Sequence, residues 1–272
     1  MQRAIDTFVN VNMASVERPA WLEAVAADYF HRSDQIFKDI EIPELLEAMQ
    51  RAGVEKCILS TDAENPAPHV MKFVEAHPQK FVLSAALDPR RGMHAVRGLE
   101  HMVRTSPTVL ARITPFMVGA IPPNDRVYYP VYQKCIELDI PIAVNTGIPG
   151  PPMPGECQNP MYLDEVCVFY PELKLVMAHG ADPWWDVAIR LMIKYHNLYL
   201  QTSAFAPKYF PPQLIQFMNT RGQDKILFAS DHPVLSFERC VKEAEELPLK
   251  EGVLDKFLYA NADRLFWGNV SA

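Results

Sequence analysis

No CxxC pair, no glycine-rich phosphate loop and no apolar run of membrane-spanning length occurs in the 272 residues of this chain. The five cysteines, at 57, 135, 157, 167 and 240, are an odd number without knot spacing, so neither a disulfide framework nor a zinc knot is indicated. No GxGxxG follows any apolar run, which removes the usual support for a dinucleotide site. A basic-then-apolar leader is missing as well, and the cytoplasm is the expected compartment. Positive charge is also short. A net charge of −7 discourages nucleic acid and anionic membrane as partners. No self-similarity at a solenoid period is present.

What remains is ordinary globular composition, 49% hydrophobic and 22% charged, in a chain long enough to bury a large core without staples. Proline is abundant, at 24 residues, and clusters in IPGPPMPGECQNP (148–160) and TPFMVGAIPP (114–123). Aliphatic and aromatic residues interleave with these prolines, so both stretches are expected to be stiffened loops on a rigid scaffold.

Eight short apolar runs punctuate the chain: AIDTFVN (4–10), KCILST (56–61), KFVLSAAL (80–87), TVLARI (108–113), PIAVNT (141–146), LKLVMAH (173–179), NLYLQTS (197–203) and KILFASD (225–231). They are nearly continuously apolar, as strands buried on both faces should be. Amphipathic segments such as PELLEAMQRAG, HVMKFVEAH, HAVRGLEHMV and YPVYQKCIELD lie between them. In PWWDVAIRLMIKY, Trp184, Val187, Ala188 and Leu191 share one face, and Asp182 before Pro183 offers an N-cap. The expected fold class is therefore α/β, a (β/α)8 TIM barrel in a single domain over 1–272. A doubly wound open sheet is the alternative. The segment at about 11–40 carries Trp21, Tyr29, Phe30 and Phe37, and fits a lid over the barrel mouth or an oligomer contact.

Chemistry in such a barrel sits at the C-terminal ends of the strands. Those ends carry Phe8 and Asn10, Thr61 and Asp62, Asp88, Arg112 and Thr114, Asn145 and Thr146, His179, Thr202 and Ser203, then Asp231 and His232. Asp62, Asp88 and Ser203 fit helix caps, and His69, His77, His94 and His101 fit solvated helix positions. His196, before the seventh strand, is expected to be structural. His179 differs, because it ends a very apolar strand where a buried imidazole requires partners. Asp231 occupies the corresponding end of the eighth strand.

These strand ends resemble the amidohydrolase superfamily, specifically the amidohydrolase-2 branch with its aminocarboxymuconate-semialdehyde decarboxylase-like and resorcylate decarboxylases and some lactone hydrolases. The resemblance runs through AID, IPELLEAMQRAGVEKCIL, EAHPQKFVLSAALDPR, YYPVYQKCIELDIPIAVNTG, YPELKLVMAHGAD, ILFASDHP and LYANADRLFWG. It implies metal ligands at two first-strand positions, which here are Phe8 and Asn10, and at a fifth-strand position, which here is Asn145. The sixth-strand histidine and eighth-strand aspartate persist as His179 and Asp231.

Phenylalanine cannot ligate a metal, and neutral amides suit calcium or magnesium only beside several carboxylates. No metal and no cofactor is therefore expected. Without metal, water keeps a pKa near 15.7 rather than roughly 7, a handicap on the order of 12 kcal/mol in ionisation. Unactivated amides are thus poor substrates, and a small activated carbonyl or carboxylate compound, such as a lactone or β-diketone, is the expected one. In this scheme Asp231 accepts a proton and His179 donates one or stabilises an oxyanion. Arg112 holds a substrate carboxylate bidentately, Asn10 and Asn145 donate N–H groups, Phe8 keeps the pocket dry, and His232 faces either the mouth or the next helix. Two alternatives stand beside this hydrolase or lyase: a non-catalytic barrel kept as a binding partner, and a decarboxylase with a weakly bound metal. A soluble homo-oligomer acting on a small molecule is expected, without membrane or nucleic-acid partners.

Overall fold

The computed structural model describes residues 2–14, 20–29 and 36–268, apart from the side chains of Trp21 and Tyr29. All eight expected strands form: β1 (Ala4–Val9), β2 (Val54–Asp62), β3 (Phe81–Ala86), β4 (Thr108–Ile113), β5 (Ile142–Asn145), β6 (Leu175–Ala178), β7 (Leu198–Gln201) and β8 (Ile226–Leu227). They lie in one parallel sheet in sequence order. The sheet curls nearly closed where Thr7 N–H donates to the Phe228 carbonyl at 3.1 Å and Asn10 N–H to the His232 carbonyl at 2.8 Å. Helices alternate with the strands: α1 (Ile42–Ala52), α2 (Pro68–Ala76), α3 (Met93–Thr105), α4 (Tyr129–Glu137), α5 (Tyr162–Phe169), α6 (Trp185–Lys194), α7 (Pro212–Met218) and α8 (Phe237–Glu245).

Side-chain alternation separates two apolar clusters. Ile58, Val82, Leu110, Ala143, Val176 and Leu227 point inward, while Leu59, Leu83, Ala111, Val144, Met177 and Phe228, each one residue on, point toward the helices. Tyr259, Ala262, Phe266 and Trp267 join the inward cluster, so the C-terminal helical segment plugs the bottom of the barrel. Strand β1 breaks the alternation: Ile5 lies inside and Val9 outside, with a register shift between Asp6 and Val9. That irregularity aims the end of β1 differently from its beginning.

Helix α1 shows the local logic. Pro43 occupies its first turn, Leu45, Ala48, Met49 and Ala52 bury one face, and Gly53 ends it at φ 75°. Helix α6 corrects the sequence expectation by one position. Its buried face is Trp185, Ala188, Leu191 and Met192, and Asp182 does not cap it but accepts from the Trp185 indole N–H at 3.1 Å.

Both proline-rich loops are pinned. Tyr128 and Tyr132 hydroxyls donate to the Ile121 and Pro123 carbonyls at 2.7 Å each, and Gln158 Nε2 donates to the Gly147 carbonyl at 2.7 Å. After β1 the chain leaves and returns through an Asn12–Asp39 bridge, with Ala26, Ile36 and Phe37 packed beside Val234 in the β8 loop. The expected lid aromatics Trp21, Tyr29 and Phe30 lie, as side chains, outside the described residues. No described helix is long and apolar enough to cross a membrane.

The plug sets a stability test. Phe266 is 3% exposed within the interior cluster, so Phe266→Ala is expected to cost about 3–5 kcal/mol in urea unfolding. A loss below about 1 kcal/mol would mean that the C-terminal segment does not close the barrel.

Candidate functional site

Above the apolar floor the inward positions turn polar. Arg112 stands two residues after Leu110 on β4, and Asn145 two residues after Ala143 on β5. One guanidinium nitrogen of Arg112, Nη2, serves two partners: it donates to Asn145 Oδ1 at 3.1 Å and to His179 Nε2 at 2.6 Å. The guanidinium carbon sits 3.5 Å from the centroid of the Phe8 ring, and Phe8 meets the His179 imidazole edge-on at 5.5 Å. Arg112 is only 6% exposed, yet its Nη1 has no protein partner. Burial lowers its pKa to about 10, with the charge of Asp231 opposing, so the group remains a cation at neutral pH.

His179 reaches this cluster through its backbone. The preceding Ala178 points inward, so strict alternation would send His179 outward. Instead His179 adopts φ 64° and Gly180 φ 70°. A Cβ on Gly180 would lie 2.5 Å from the Trp185 ring, which explains the glycine of AHG. Because Arg112 can only donate, Nε2 must carry the lone pair and Nδ1 the proton, which goes to the Ser203 carbonyl at 3.2 Å. Burial and the neighbouring guanidinium push the imidazole pKa down to about 3, so the ring is neutral.

Asp231, also at φ 64°, accepts from Asn10 Nδ2 at 2.9 Å. Burial raises its pKa to about 7; the nearby Asp6 adds to that rise, while Arg112 and Asn10 oppose it. Among the described residues no ion pair within 4.0 Å joins Asp231 to Arg112. Asp6 is fully buried beneath, accepting from the backbone N–H groups of Phe8 and Ser230 at 3.0 Å each, and burial lifts its pKa to about 7 as well.

The structure thus brings together Phe8, Asn10, Arg112, Asn145, His179 and Asp231. It changes several of their expected roles. Asn10 and Asn145 are bonded to charged side chains rather than aligned as a pair of free donors. Nε2 of His179 accepts from Arg112, so it has no proton to donate. The Nη1–Nη2 fork of Arg112 is half occupied, which removes bidentate chelation through that edge. His232 stacks its ring on Phe237 of α8 at 4.2 Å, and its backbone carbonyl accepts from Asn10 N–H at the mouth wall.

Three participants escaped the sequence. Ser203, expected as a cap, instead holds His179: its carbonyl takes the Nδ1 proton and its hydroxyl accepts from the His179 backbone N–H at 3.3 Å. Gln201 ties that support to β1 by donating to the Thr7 carbonyl and hydroxyl at 2.9 Å each. Asp6 was visible as an acid inside an apolar run, which is the one signal that could have marked it.

A divalent metal fits these residues poorly. The positions expected from the resemblance to carry ligands hold a phenyl ring and two amides, and among the described residues no group of three His, Cys, Asp or Glu could hold an ion. The lone pair of His179 Nε2 is already taken by a guanidinium, and a second cation beside it would meet Coulomb repulsion. Ring-nitrogen NMR is expected to find His179 neutral and protonated on Nδ1 from about pH 5 to 8, with its pKa rising in Arg112→Met. A histidine titrating near its ordinary value in the wild type would contradict the contact.

Comparisons agree with this architecture. None of the curated proteins matches the chain by sequence. An uncharacterized TIM-barrel protein of Bordetella bronchiseptica superposes with TM-score 0.82 at 22% identity, covering 99% of this chain and 100% of that one. A 2,6-dihydroxybenzoate decarboxylase from Rhizobium gives TM-score 0.72 at 19% identity over 99% and 100%. A dihydroxybenzoic acid decarboxylase from Polaromonas, solved with bound manganese and the inhibitor 2-nitroresorcinol, gives TM-score 0.69 at 21% identity over 99% and 98%. These likenesses concern the fold. Because the amidohydrolase model Amidohydro_2 matches residues 19–267, nearly the whole barrel, the chain belongs to the amidohydrolase family.

Proposed function

We propose that this protein is a metal-independent hydrolase of a small, activated carbonyl compound, a lactone or a similarly reactive ester, with Asp231 as the general base. One observation carries the proposal: a half-buried carboxylate and a buried guanidinium face the same mouth without forming an ion pair. Opposite charges withdrawn from water normally pair, because each alone is costly to desolvate. Held apart, they are positioned for a third component between them.

The acid–base properties support the assignment. A base is most useful when its pKa lies near the working pH, and burial places Asp231 at about 7. The neutral His179 positions the guanidinium instead of shuttling protons. The ordered polar contacts around Arg112 also argue against a merely vestigial barrel, since every charged group in the cluster has a defined neighbour. The decarboxylases of similar fold favour a second reading, manganese-assisted decarboxylation of a phenolic acid, for which Asp231 and His179 are the available ligands.

A panel of small lactones and hydroxybenzoates, assayed on chelator-treated protein with and without manganese, separates the two. Chelator-resistant lactone hydrolysis is expected, and manganese-dependent carbon dioxide release would overturn the proposal. Asp231→Asn is expected to lower turnover by about 10²–10⁴-fold. Only the carboxylate form can accept a proton, so kcat/KM should rise with pH through about 7 and level above it. A profile flat across that range would remove Asp231 as the base.

A further inference from the structure

Building on the hydrolytic function proposed above, we infer that Arg112 is itself a catalytic residue: its Nη1 N–H receives the single carbonyl oxygen of the substrate on which negative charge gathers. This differs from a carboxylate anchor, which needs both prongs of the fork.

Three features of the geometry support the assignment. Nη1 is a buried cationic donor without a protein acceptor, and such groups in a folded chain mark where a partner belongs. The rest of the guanidinium is immobilised, with Nη2 bound to Asn145 and His179 and the flat face against Phe8. A donor fixed before the reaction needs no reorganisation when charge develops, which is the requirement for oxyanion stabilisation. Finally, Asp231 lies beyond ion-pair range of Arg112 while its Oδ1 is steadied by Asn10, so base and electrophile approach a bound carbonyl separately.

The step balances without any further reactant. Water passes a proton to the Asp231 carboxylate while its oxygen bonds to the carbonyl carbon, and the C=O π pair moves onto the oxygen at Arg112 Nη1. That pair then returns as the C–O bond to the leaving oxygen breaks, and the protonated Asp231 gives its proton to the departing alkoxide. Lactone plus water gives the hydroxy acid.

Binding of 4-nitrophenolate, an anion with one charged phenolic oxygen, tests this independently of turnover. Chelator-treated wild type is expected to bind it and to lower the bound phenol's pKa, read from its visible absorbance. Arg112→Met should weaken binding on the order of 10–100-fold, with Arg112→Lys between the two. Asp231→Asn should keep or strengthen binding, because it removes a negative charge from the mouth. If Arg112→Met fails to fold, the absorbance shift in the wild type and its reduction in Arg112→Lys carry the test. Absence of binding to the wild type, binding indifferent to Arg112, or binding that requires manganese would each overturn the inference. Full turnover in Asp231→Asn together with Arg112-dependent binding would instead sink only the hydrolytic mechanism.

Discussion

The short contact between Arg112 Nη2 and His179 Nε2, at 2.6 Å, fixes the chemistry of the barrel mouth. An arginine can only donate, so the contact decides the tautomer of His179, keeps the ring neutral and directs its Nδ1 proton to Ser203. It also immobilises the guanidinium over Phe8. Burying a cation costs several kcal/mol in lost hydration, and here that cost is offset by two acceptors on Nη2, an aromatic face and the field of Asp231. Nη1 lies outside this compensation. Phe8, Asn145 and Asn10 therefore act together: a phenyl ring to stack on, an amide oxygen to accept, and a second amide to steady the acid.

A guanidinium and a metal ion are different instruments. A zinc-type ion acidifies bound water, whereas an arginine stays protonated and cannot coordinate hydroxide. In the proposed hydrolysis the burden of activating water falls on a carboxylate, and a carboxylate is an effective base at neutral pH only when its pKa has been lifted. Burial together with the second acid, Asp6, does that for Asp231. On that proposal reactivity must come from the substrate as well, which favours strained or activated carbonyl compounds over amides.

The strands were legible because a barrel strand is buried on both faces and reads as a continuous apolar run. Their ends were legible too, since His179, Arg112, Asn145 and Asp231 close or follow such runs. Partnerships were not, because Arg112 and His179 are 67 residues apart and meet only after His179 turns through a left-handed backbone. Ser203 looked like a cap because a serine after a strand usually is one, and its carbonyl, the group that matters most here, is invisible in side-chain patterns. Asp182 misled for a related reason: the Trp185 indole captured a carboxylate that the sequence assigned to a helix N-terminus. His232 could face either way, and the flat face of Phe237 in α8 settles it.

In the proposed function a guanidinium, not a metal, is the positive centre of this site. Crystals grown with excess manganese and measured at the manganese absorption edge test it most directly. No anomalous peak is expected among residues 8, 10, 145, 179 and 231, with the Arg112 guanidinium within hydrogen-bond distance of His179 Nε2. A manganese peak ligated by His179 and Asp231, with Arg112 swung aside, would contradict it.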